Sequence, residues 1–402
     1  MKKAFFGATI IPVEGEIIEN GILVINNDKI ESVGPNITLG DNIEKIDCSG
    51  FFITPGLIDA HSHVGLFEEA AGINVQDGNE YSSTITPALK ALDALFPEDM
   101  GFKDAHKGGV TSLGIAPGSA NLIGGQLSAI KTYGIIPDEM IIKDPIGVKF
   151  ALGENPSRVG TSKNRAPVTR MANAYLIREN FYKALDYKEE WDHYEKLTIL
   201  EAKKNEDERK PVKKPKYDLN MEILLKVLDG TLPMRCHAHR ADDIATAVRI
   251  SKEFNNIRLF IEHATEGHLI ADFLNNNGIK CIVGPILNNR SKRELKHRTT
   301  KTPGALVKAG VDVSITCDSP VIPIYMLIES MRIAIREGLP KKDALATITI
   351  NPARLMEVDD RIGSIKPGKD ADFVIWNGDP FDARNEVLNT YINGKCVYCG
   401  EN

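Results

Sequence analysis

Between residues 258 and 338 the apolar positions follow two alternating patterns. Short apolar runs at 258–261, 280–283 and 311–316 read as strands. Amphipathic stretches at 268–277, 303–309 and about 322–337 separate or follow them, each stopped by a glycine (Gly278, Gly310, Gly338). The order is βαβαβα, which calls for a parallel sheet with helical crossovers and strands buried on both faces.

The two ends of the chain are written differently. Residues 1–54 hold β-type runs at 4–12, 21–25 and 29–33, with turns at Asn26-Asn27-Asp28 and Gly34-Pro35, and the same style resumes near 361. Neither end has enough apolar residues for a core of its own. The expectation is one composite β domain, 1–54 plus 361–402, around a barrel at 55–360. A polar, helix-prone insertion near 186–217 interrupts the barrel, as a lid or an oligomer contact.

Polar residues gather where these strands end. Asp59, His61 and His63 close the run 52–60, His237 and His239 follow 232–236, His263 follows 259–261, and Asp318 follows 313–316. An eight-stranded α/β barrel builds its active site in this way, from the C-terminal ends of several strands. A doubly wound sheet would concentrate them at one switch point beside a glycine-rich phosphate loop, and Gly124-Gly125 is no such fingerprint.

Composition changes this picture little. The 402 residues are 42% hydrophobic, enough for a large core, and a net charge of −6 gives no electrostatic reason to expect nucleic acid or an acidic membrane as partner. No run approaches a membrane span or a cleavable signal, so the expected compartment is the cytoplasm and the expected partner a small molecule, with a homo-oligomer left open. The six cysteines are scattered, and Cys396-Val-Tyr-Cys399 reads as inert thiols on a terminal strand.

Two imidazoles from one strand, His61 and His63, face the same side and can grip one divalent ion. Joined by His237, His263 and Asp318, they form a nitrogen and carboxylate set suited to Zn²⁺ and tolerant of Mn²⁺, Fe²⁺ or Co²⁺. His239 is superfluous for a single ion and reads as a substrate contact or as a group supporting the ligands from behind. In 147–153 alternation turns Lys149 inward, where an unpaired ammonium is costly. Carbamylation would make it an anionic bridge between two metals; Glu154 is the rival bridge, and one or two ions stay open. Arg290, Arg293, Arg165 and Arg170 are candidates for a substrate carboxylate.

Pro55-Gly-Leu-Ile-Asp-Ala-His61-Ser-His63, Gly108-Gly-Val-Thr-Ser, Ile261-Glu-His263, Cys317-Asp318-Ser and Gly363-Ser-Ile-Lys-Pro-Gly-Lys-Asp-Ala-Asp372 together resemble the amidohydrolase superfamily, in its imidazolonepropionase-related and prolidase-like branch. The resemblance spans the chain. It implies a distorted (β/α)8 TIM barrel with a small β-sandwich, and metal-dependent hydrolysis at carbon–nitrogen bonds. By motif position it assigns first-strand ligands to His61 and His63, the fifth to His237, the sixth to His263 and the eighth-strand acid to Asp318. Lys149 matches in type the modified lysine that dinuclear members carry on the fourth strand, with a loose fit around it.

The expected chemistry follows. A metal-bound water with its pKa lowered to about 7 supplies hydroxide. Asp318 takes its proton and passes it to the leaving nitrogen, while His263 or His239 helps polarise the carbon attacked. An amide hydrolase is the first expectation, a deaminase of a cyclic amidine or aminated ring the second, and a non-catalytic scaffold the third.

Overall fold

Two eight-stranded sheets carry the computed structural model, which describes residues 2–69 and 76–400. The first holds β1 (Lys2–Ile10), β2 (Ile18–Asn26), β3 (Lys29–Gly34), β4 (Glu44–Asp47) and β5 (Phe52–Pro55). The second holds β6 (Leu57–Ser62), β7 (Val110–Ile115), β8 (Ile123–Lys131), β9 (Ile141–Ala151), β10 (Met234–Ala238), β11 (Leu259–His263), β12 (Lys280–Val283) and β13 (Val313–Ile315). The chain then returns to the first with β14 (Phe373–Trp376), β15 (Val387–Ile392) and β16 (Lys395–Cys399).

In the second sheet the strands follow chain order from β6 to β13 and curl into a nearly closed barrel. Pairing is parallel from β9 to β13 and between β6 and β7, whereas β8 runs antiparallel to both neighbours. The cause is the length of the connections. Seven residues link β7 to β8 and nine link β8 to β9, too few for the helical crossover that a parallel neighbour needs. This is the distortion of the (β/α)8 plan. The seam between β13 and β6 is closed by side chains: Thr316 Oγ1 donates to His61 O at 2.7 Å, and Cys317 N donates to Asp59 Oδ2 at 2.8 Å.

The first sheet joins both ends of the chain, because β5 pairs parallel with β1 and antiparallel with β14. Its core packs Phe5 edge-on to Phe373 (ring centroids 4.9 Å) and Phe373 stacked on Tyr391 (4.5 Å). Buried Lys131 of β8 ties the sheets together through Asp370 at 2.8 Å and through Asp372. Residues 401 and 402, the end of the expected β domain, lie outside the described residues.

One expectation is revised, and the polar insertion is located. Cys396 and Cys399 are not separate thiols but a close sulfur pair, since the register shift of β16 against β15 brings their Cα atoms to 6.5 Å. The polar insertion is the outer part of a helix, Arg170–Ala202, whose last buried residue is Tyr187, followed by irregular chain to Asp218. None of residues 186–217 lines the cavity at the barrel mouth described below. Among the described residues no helix is long and apolar enough to cross a membrane.

Candidate metal centre

At the C-terminal mouth of the barrel lies a cavity of about 380 Å³, lined by His63, His237, His239, His263, Lys149 and Asp318 among others. His61 is fully buried behind this lining and Asp318 is the pivot. His61 Nε2 lies 3.3 Å and His63 Nε2 3.2 Å from the same oxygen, Asp318 Oδ1, and His263 Nδ1 lies 3.9 Å from Oδ2. These residues come from β6, β11 and the loop after β13, three strands that the barrel brings together.

Each ring has an oxygen behind it. His61 Nδ1 faces Glu262 Oε2 at 3.0 Å, His63 Nδ1 faces Ala116 O at 2.7 Å, and His263 Nδ1 faces Gly284 O at 2.8 Å. An Nδ1–H donated to the Ala116 and Gly284 carbonyls leaves the Nε2 lone pairs of His63 and His263 available to a metal, the arrangement that metal-binding histidines use, whereas His61 Nδ1 lies close to Glu262 without a hydrogen bond. Burial lowers the pKa of His63, His237, His239 and His263, to about 3 for His263, so these rings are neutral near pH 7. Burial also pushes His61 down, but Glu262 and Asp318 outweigh it and its pKa is raised. Burial raises the Asp318 carboxyl, yet His263, His61 and His63 together hold it well below the usual range.

Backbone conformation aims two of these groups. On β11 alternation sends Phe260 and Glu262 inward, so His263 would face away. It enters the cavity because the chain turns there, with φ of 73° at His263 and 44° at Ala264; Asp318 has φ of 54°. Three non-glycine residues in the left-handed region at one site are the kind of strain that functional sites retain.

His237 lies beyond His263 (ring centroids 4.4 Å), and both of its ring nitrogens are buried without a hydrogen-bond partner. Such orphaned nitrogens fit a metal ligand. Together with the neutral imidazoles and the Asp318 carboxylate, they make a donor set that suits zinc.

Lys149 does point inward, but its ammonium is not unpaired. Nζ donates to Glu262 Oε2 at 2.6 Å and lies 3.4 Å from His61 Nε2. Arg235 completes the group: its Nε donates to Glu262 Oε1 at 3.0 Å and its other end to Ala60 O at 2.8 Å. Glu262, Lys149 and Arg235 are all fully buried. In the sequence Glu262 stands out only as the middle of Ile261-Glu-His263. The signal that could have found it is the alternation Phe260/Glu262, which puts an acid inside the barrel opposite two inward cations.

Other sequence candidates fall elsewhere. Glu154 is not among the residues lining the cavity, and its Oε2 accepts from Glu294 N at 3.3 Å. Arg290 is exposed and donates to the carbonyls of Lys296 and Arg298. Arg165 donates to Ser83 O and Arg170 to Asp243. None of these arginines, nor Arg293, lines the cavity. The cations that do, besides Lys149, are Arg158 and Lys292. His239 lines it as expected, with Nδ1 against Thr265 Oγ1 at 2.7 Å.

Residues 214–397 match the amidohydrolase family. A solved structure described as an amidohydrolase from Thermotoga maritima MSB8 is 43% identical, covers 99% of this chain and 100% of its own, and superposes with a TM-score of 0.92. The amidohydrolase tasK of Hapsidospora irregularis is 30% identical over 95% of this chain; the chain spans 39% of the length of that relative. The imidazolonepropionase of Legionella pneumophila (strain Corby) is 23% identical over 92% of this chain and 91% of its own length.

Proposed function

The chain belongs to the amidohydrolase family, and from that premise we propose that it hydrolyses the C–N bond of a small non-peptide or peptide-like amide with the help of a divalent metal. The observation that carries this reading is the convergence of His61 Nε2 and His63 Nε2 on Asp318 Oδ1 beside the cavity at the barrel mouth. A volume of about 380 Å³ suits a small molecule.

His61, His63 and Asp318 would hold the ion, with His263 and His237 on the facing wall as further donors. Zinc is the first choice for this set, with Mn²⁺, Fe²⁺ and Co²⁺ tolerated. When bound, such an ion lowers the pKa of water toward about 7 and polarises an amide carbonyl. Asp318, held as a carboxylate, accepts the proton released as water attacks and returns it to the leaving nitrogen. His263 spends its Nδ1 on Gly284 O, so its Nε2 serves as a metal donor rather than as a hydrogen-bond donor to substrate.

Lys149 is assigned here as an ammonium. The desolvation cost that carbamylation would remove is already offset by Glu262 at 2.6 Å, and a bridging carbamate is not required. Its role is to neutralise the carboxylate beside His61.

The experiment is turnover of a panel of N-acyl amino acids, dipeptides, cyclic amides and aminated heterocycles by the wild type and Asp318→Asn. The expected result is release of amine or carboxylate from amides, reduced at least about 100-fold in the variant. Ammonia release from the aminated rings alone would replace this reading with a deaminase. Turnover indifferent to Asp318→Asn would contradict it.

A further inference from the structure

Besides its histidines, the cavity at the barrel mouth is lined by the cations Lys149, Lys292 and Arg158. The two lysines are engaged inside the protein. Lys149 Nζ donates to Glu262 Oε2 at 2.6 Å, and Lys292 Nζ donates to Glu294 Oε1 at 3.0 Å and to Asn155 Oδ1 at 3.2 Å. Arg158 is exposed and has neither a hydrogen bond nor an ion pair among the described residues. Arg165, Arg170 and Arg290, by contrast, are each bonded to a carbonyl or to Asp243.

The helix Glu154–Ser162, which follows closely on β9, carries this guanidinium. Asn155, Arg158 and Val159 stand at i, i+3 and i+4, and so share the helix face that lines the cavity. Asn155 pins that face, because its Nδ2 donates to Ser119 Oγ at 2.7 Å while its Oδ1 accepts from Lys292. Just before the helix, Gly153 O accepts from buried Asn173 Nδ2 at 3.1 Å. Arg158 thus sits on a braced element with all of its N–H groups unspent. The charge around it is one-sided. Asp318 is the only carboxylate among the described residues that line the cavity, and Arg158 makes no ion pair with it. Glu262 and Glu294 offset the two lysines, which leaves Arg158 as the uncompensated positive charge of the protein wall.

We propose that Arg158 receives a carboxylate of the substrate, at the end of the molecule remote from the C–N bond cleaved. A planar fork of N–H groups pairs with both carboxylate oxygens at once, so it selects for the charge and for its placement. The substrate class narrows from small amides in general to N-acyl amino acids, dipeptides and carboxylated cyclic amides. The inference rests on the amide-hydrolase reading above and adds to it a residue that sets specificity.

The test compares N-acetyl amino acids and dipeptides with their C-terminal carboxamides, as kcat and KM for the wild type, Arg158→Met, Arg158→Lys and Arg293→Met, with circular dichroism to check folding. Arg293 is also exposed but does not line the cavity, so its variant makes the same change in net charge without touching the receptor. The wild type is expected to favour carboxylates over carboxamides at least about 10-fold in kcat/KM. Arg158→Met should lose that preference through KM, Arg158→Lys should keep part of it, and Arg293→Met should keep it whole. A wild type indifferent to the carboxylate overturns the proposal, as does a preference that survives in Arg158→Met or is lost equally in Arg293→Met. Should Arg158→Met fail to fold, Arg158→Gln is read by the same outcomes. If no amide is cleaved, the function proposed above falls, and calorimetric binding of the same pairs to the zinc-treated wild type and Arg158→Met decides this inference by itself. Tighter binding of carboxylates that is lost in Arg158→Met supports it; equal binding of both members, or none, overturns it.

Discussion

Glu262 shows how much of the site depends on a residue that never meets the substrate. Burial alone would raise its carboxyl, but His61, Lys149 and Arg235 outweigh it and hold the group well below its ordinary range. It therefore stays charged, with Oε2 3.0 Å from His61 Nδ1. Glu262→Gln keeps the shape and loses the charge. Its expected effect is a fall of about 10- to 100-fold in metal affinity, read by competition with a chromophoric chelator; unchanged affinity would remove Glu262 from the account. A second residue gives a pH signature. Burial outweighs the Arg170 guanidinium and pushes Asp243 up to about 6. The folded state then holds a proton that the unfolded chain has already lost. This contribution is full below about pH 4 and lost as pH rises to about 6. Relative to Asp243→Asn, the wild type should lose up to about 3 kcal/mol across that window, read from urea midpoints.

At the scale of elements, the barrel is completed by one carboxylate as much as by strand pairing. Asp59 accepts from Cys317 N and from His61 N at 3.0 Å, and so locks β6 to the loop that carries Asp318. Asp59→Ala leaves two buried N–H groups without acceptors and should cost about 3 kcal/mol, measured as a shift in urea midpoint at constant m-value; a shift below experimental error would show that the seam does not depend on it. The strand-end histidines were legible in the sequence because each follows a short apolar run, and a run's end is local information. The antiparallel β8 was not read, since Gly124 and Gly125 weaken its strand pattern, although the short connections on either side carry the signal. Glu262, Lys292 and Glu294 were missed for a different reason: what defines them is a partner far along the chain, Lys149 for Glu262 and His239 for Lys292. The sequence marks arginines as anion receptors, but the loop after β12 spends Arg290 on its own carbonyls and turns Lys292 inward.

At the scale of the molecule, one sheet shared by both chain ends grips the barrel through Lys131, Asp370 and Asp372, while the outer half of the helix Arg170–Ala202 stands clear of the cavity. This leaves the chemistry to a single centre at the barrel mouth, and the account stands or falls on whether that centre holds an ion. The most direct measurement is elemental analysis of the purified chain beside its His61→Ala/His63→Ala variant, each also assayed for amide hydrolysis after chelation and after zinc is restored. The account predicts at least one equivalent of divalent metal in the wild type, activity lost on chelation and regained with zinc, and neither resident metal nor activity in the folded variant. A metal-free wild type that still hydrolyses amides, or a variant that retains both metal and activity, would contradict it.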